Sequence, residues 1–129
     1  MKSSSLDLKT IGRILFALPF GIIGINHFVM VDFFSGMLTS LVPGGGFSII
    51  LTGIFLIAAS ISIITNRLIR LSCFLLAALL FVFIVSIHIP QLFEPEMAKF
   101  AFMQLLKDTA LLGGALLIAS THKDEKKKR

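Results

Sequence analysis

Residues 68–88 read LIRLSCFLLAALLFVFIVSIH. Apart from Arg70 near one edge and His88 at the other, no side chain in this stretch is ionisable beyond the weak thiol of Cys73. About 20 such residues cross a hydrocarbon core of ~30 Å as an α-helix. They must be helical, because lipid offers no partner to an exposed peptide group. Just upstream, residues 47–65 form a second apolar run, with only Asn66 and Arg67 between the two. So short a turn makes these spans antiparallel neighbours. Residues 11–31 and 99–120 are apolar over similar lengths. The fold class is therefore all-α: a four-helix integral membrane bundle in one domain, residues 1–129, with a basic tail over 121–129.

Composition agrees. Hydrophobic residues make up 56% and charged residues 15%, with mean hydropathy +0.95. Soluble domains carry about 45–50% and about 25%. One cysteine, Cys73, excludes an internal disulfide or a CxxC pair, and reads as a small packing residue. Net charge is +5. In a soluble protein that would point to nucleic acid; here the cations gather at the chain ends and in one turn, so no nucleic-acid partner is expected. Lys2, Lys9 and Arg13, then Arg67 and Arg70, then Lys123, Lys126, Lys127, Lys128 and Arg129 all fall on one side of a four-span chain. The other side has Lys99 with Asp32, Glu94 and Glu96. The positive-inside rule then places both termini in the cytoplasm; the expected membrane is a bacterial-type cytoplasmic one. Lys2, Lys9 and the first apolar run look like a signal peptide, but no small-x-small cleavage site follows, so the first span is read as retained. The tail is read as a topology anchor, with contact to anionic lipid as the alternative.

Local features set further expectations. Arg13 should snorkel to the headgroups, and Pro19 should kink its helix. Gly21 and Gly24, and the small residues Gly53, Ala58, Ala59, Ser60 and Ser62, favour close helix packing. Phe33, Phe34, Met37, Leu38 and Leu41 recur at near-helical spacing, as in a short interfacial helix, which Pro43 and Gly44–Gly46 end. Pro90 should stop the third helix near His88 or Ile89. Glu94, Pro95 and Glu96 resemble a helix start.

Against this background six polar residues stand out: Asn26, His27, His88, Gln104, Lys107 and Asp108. Twelve residues, Thr109 to Ser120, separate Asp108 from the tail side, roughly 18 Å at 1.5 Å per residue. Asn26, His27 and His88 end their helices on the opposite side. Three helices therefore bring polar groups to one level, the outer half of the bilayer. Gln104, Lys107, Asp108 and Leu111 share one helical face. A lysine or aspartate within a span costs about 2.5–3.5 kcal/mol. Lys107 and Asp108 point about 100° apart, so pairing across helices is expected: Asp32 or Glu94 for Lys107, His27 or His88 for Asp108. The structural alternative stays open, with His88 as a helix-end cap and Asn26 as interhelical glue. The other reading is a ligand or redox site. Ligation of haem by both histidines needs opposed rings, which the sequence does not provide. No HxxxH or HxxE motif supports a metal, and no nucleophile elbow, phosphate loop or triad is present.

The passages IGRILFALPFGIIGINHF (11–28), LIAASISIITNRLIR (56–70), IHIP (87–90) and LLKDTALLGGALLIAS (105–120) resemble the DoxX and DoxX-like membrane proteins. The resemblance implies a four-helix membrane bundle. It also implies association with quinone-linked redox chemistry, in company with a second kind of subunit. It supplies no catalytic residues. Three functions follow as expectations. In the first, a quinone-like ligand is held by His27, His88, Asp108, Lys107 and Gln104, with Phe28, Phe81, Phe83, Phe100 and Phe102 as available ring contacts, although phenylalanines in a membrane more often face lipid or core. In the second, the chain is a non-enzymatic subunit or scaffold that meets a membrane or redox partner through Gly113, Gly114 and the small face of the second span. The third, small-solute or proton transport, is disfavoured by the absence of ionisable residues between Asp108 and the tail on the fourth span.

Overall fold

The computed structural model describes residues 7–36, 38 and 44–122. Expectations resting on Lys2, Met37, Leu41, Pro43 and the cations of residues 123–129 lie outside the described residues. The elements are α1 (Leu8–Val29), α2 (Val31–Ser35), α3 (Gly46–Ile64), α4 (Ile69–Phe83), a π-helical turn (Ile84–His88), α5 (Ile89–Gln91) and α6 (Ala98–Thr121). The stretch Ile69–Gln91 is one continuous span, so four helices are long and apolar enough to cross a bilayer. Their outward faces expose Leu15, Ile22, Ile54, Phe74, Phe81 and Leu117. Water disfavours an apolar surface of that extent; lipid matches it. This is the build of a multi-pass integral membrane protein.

α1 starts three residues before the predicted position because Asp7 caps it: its Oδ1 accepts the Thr10 backbone N–H at 2.9 Å. Hydrogen bonds from Thr10, the backbone one first, hold the Asp7 carboxyl below the ordinary carboxylate range. The helix then runs through Pro19 to Val29 without interruption. A short helix, α2, covers Val31–Ser35; of the residues expected to form an interfacial helix it contains Phe33 and Phe34, and Leu38 lies beyond its end.

Two further features differ from expectation. The third span does not stop before Pro90: Ile89 stays helical (φ −64°, ψ −47°) and the helix continues to Gln91. The π turn is the reason. The Ile89 N–H reaches back to the carbonyl of Ile84, and the widened turn gives the proline ring room against the preceding carbonyls. The fourth span begins at Ala98, within one residue of the expected 99, but Glu94–Glu96 do not start it: Glu94 to Met97 form a separate turn closed by the Met97 N–H on the Glu94 carbonyl at 2.9 Å.

Buried residues of α1 are Arg13, Ala17, Phe20, Gly24 and His27, a 4–3–4–3 spacing that makes one stripe. This stripe packs along α3, and α4 packs along α6. α3 and α4, despite their short turn, form a much thinner seam. The turn itself uses left-handed backbone at Asn66 (φ 64°) and Leu68 (φ 48°). At the α1–α3 crossing, a Cβ on Gly24 would lie 2.8 Å from the Gly53 carbonyl oxygen, and one on Gly53 would lie 2.8 Å from the His27 Cβ. Glycine is required there by contact.

The core fills the half of the bundle nearest the chain termini, with Ala17, Leu56, Ile63, Cys73, Leu76 and Ala119 among its members. Arg13 belongs to this end, and it does not snorkel. It is buried, and its Nη1 donates to the carbonyls of Ile63 (2.6 Å) and Ile64 (3.0 Å). Arg70 similarly donates to the Ala119 carbonyl at 3.1 Å, with its guanidinium 5.2 Å from the Phe74 ring centroid. The last carbonyls of a helix lack intrahelical partners, and in an apolar bundle two guanidiniums supply them.

Candidate functional site

The other half of the bundle is not filled. Between the α1–α3 and α4–α6 pairs lies a cavity of about 460 Å³. All six of Asn26, His27, His88, Gln104, Lys107 and Asp108 line it. α1 supplies the first two, the π turn supplies His88, and α6 supplies the rest. Ser48, Thr52 and Ser86 add hydroxyls, while Phe20, Leu56 and Leu80 form an apolar floor against the core. Phe34 and Leu38 line the loop side.

Asp108 is the hub. Its Oδ2 accepts the His88 Nε2–H at 2.7 Å, and its Oδ1 lies 3.1 Å from the Lys107 Nζ. The Asp108 and His88 side chains are almost fully buried, whereas that of Lys107 is half exposed. With Nε2–H directed at the carboxylate, a neutral His88 carries its lone pair on Nδ1. That Nδ1 is buried and has no hydrogen-bond partner. A buried polar atom left this way costs about 1–3 kcal/mol.

Of the two partners considered for Asp108, the structure selects His88. His88 is therefore not a helix-end cap: the helix continues past it, and its ring points at α6. Lys107 does not pair with Asp32 or Glu94; it pairs with its sequence neighbour Asp108. A flexible four-carbon stem bridges the ~100° between adjacent helical positions. His27 turns to its own helix. Its Nδ1–H donates to the Ile23 carbonyl at 2.8 Å, and its ring stacks on Phe34 at 4.1 Å and 19°. Haem fits this arrangement poorly, because His88 Nε2 is engaged by Asp108.

The ring contacts also change. Phe83 lines the cavity as expected, but Phe28, Phe81, Phe100 and Phe102 are exposed on the outside. Phe20 and Phe34 take their place. Phe20 was readable, since it lies on the stripe of Gly24 and His27. Phe34 was not, because its place depends on how α2 folds back. Comparison with protein-family models, curated proteins and solved structures finds no match to this chain.

Proposed function

We propose that this is a redox-associated membrane protein of the DoxX-like type, with a quinone-class molecule held in the cavity. Both termini lie in the cytoplasm, the membrane is a bacterial-type cytoplasmic membrane, and the cavity sits in its outer half. One observation carries the reading: six polar residues from three spans converge on a single cavity whose remaining walls are mainly apolar. Pockets for small molecules are typically about 300–1,000 Å³, mostly apolar, with few convergent polar groups.

When a quinone is reduced, it takes up two electrons and two protons; here the electrons come from a separate redox subunit. This chain binds and handles protons. Asp108 orients His88 and fixes its Nε2–H. Lys107 and Gln104 present hydrogen-bond donors to a ring oxygen. His88, Asp108 and His27 are the groups able to hold a proton beside it. The test is titration of the detergent-purified protein with a soluble quinone, alongside analysis of its lipid extract. Co-purified quinone, and binding weakened at least tenfold by His88→Ala, are expected. Absence of bound quinone, with no quinone-dependent change on altering His27 and His88, would sink the reading.

The scaffold reading keeps one supporting observation: a Cβ on Gly113 would meet nothing within 4 Å. Gly53, Ala59 and Ser60 of α3 are already buried inside the bundle. A stoichiometric partner recovered from native membranes, with no ligand, would favour that reading.

A further inference from the structure

Two residues that line the cavity are about half exposed: Lys107 at its polar level and, near the middle of the third span, Val82 (52%). Val82 lies six residues from His88, about 9 Å along the axis, toward the middle of the bilayer. It stands within two residues of the midpoint of Ile69–Gln91. Its helix, α4, borders α3 across the thin seam. At the loop end, by contrast, the His27–Phe34 stack and Leu38 line the cavity. Polar groups and apolar walls are also segregated. Asp108, Lys107 and His88 sit at one level, while Leu79, Leu80 and Leu56 lead away from it. The volume equals about fifteen waters at about 30 Å³ each, yet most of its wall offers water no partner. The buried, unpartnered Nδ1 of His88 marks the polar end as incomplete.

Building on the ligand site proposed above, we infer that its occupant is a membrane-borne amphiphile that enters sideways from the bilayer. Its hydrogen-bonding ring rests at Lys107–Asp108–His88, and its hydrocarbon tail leaves past Val82 into lipid. A head-only, water-soluble ring lacks the contacts that the apolar passage provides. The Val82 opening works as a tail port, and the site selects for tailed molecules.

The test uses the full chain in lipid nanodiscs with two probes, a decyl-tailed dimethoxy-methyl-benzoquinone and the same ring without the tail. Val82→Trp fills the port. Val85→Trp is the control, since Val85 is 44% exposed and does not line the cavity. Val82→Phe, a smaller change, guards against misfolding, and thermal unfolding checks all three. Expected is at least tenfold weaker binding of the tailed probe to Val82→Trp, a smaller loss in Val82→Phe, no change in Val85→Trp, and unchanged binding of the bare ring. Equal binding of the tailed probe to wild type and Val82→Trp, with loss in His88→Ala, would overturn the port and leave the ligand site standing. No binding of either probe to wild type would overturn both.

Discussion

Asp108 is the residue on which most depends. It is buried, and it answers both a lysine and a histidine. Removing one partner of a buried ionic group costs about 3–5 kcal/mol, while replacing the whole group by apolar residues of similar size is often neutral or stabilising. Lys107 is half exposed, so the loss in Asp108→Leu is mainly that of leaving the buried His88 ring unpaired, about 1–3 kcal/mol in detergent unfolding. The triple variant His88→Leu, Lys107→Met, Asp108→Leu should recover most of that loss. If the triple variant is as unstable as the single one, the cluster is held by packing rather than by mutual charge compensation. Arg13→Met should cost about 1–3 kcal/mol, since it strips a donor from the Ile64 carbonyl and leaves Ile63 with only the Asn66 N–H; unchanged unfolding would show that other groups satisfy them. Lys107 and Asp108 were legible in the sequence because a charge within a span demands an explanation. His88 was legible only as one of two candidate partners for Asp108. A π turn shifts the helical register, and no 3.6-residue periodicity announces it.

At the scale of the helices, the four spans were legible from length and hydropathy, because lipid constrains both so strictly. Pairing was less so. Chain order placed the second and third spans together, but glycine contacts decide that the second packs on the first. Two substitutions separate contact from propensity. Gly53→Ala puts a methyl 2.8 Å from the His27 Cβ, and should cost about 1–3 kcal/mol by overpacking. Gly113→Ala meets open space, and should be neutral or stabilising by about 0.5–1 kcal/mol. Opposite shifts in melting temperature are expected. A Gly53→Ala variant as stable as wild type would contradict the close α1–α3 crossing. Pro90 shows the limit of reading an element locally. Its preference to end a helix is real, but a widened turn accommodates it and carries the third span on to Gln91.

The molecule as a whole divides along its length. The end with the termini is a packed core capped by two arginines, and the other end holds the cavity. The shared level of Asn26, His27, His88 and Asp108 followed from counting residues along each span, so the position of the site was legible even though its internal pairing was not. On the proposed orientation, a reporter fused after His122 should report the cytoplasm, and one inserted between Glu94 and Glu96 the opposite side; the reverse pattern would invert the topology. Lipid extracts of the purified protein, read by mass spectrometry, bear most directly on the ligand site itself. Wild type should carry a quinone-class molecule near one per chain, and the folded triple variant at His88, Lys107 and Asp108 should carry none. An empty wild-type extract, or equal recovery from both proteins, would contradict a ligand site at this cluster.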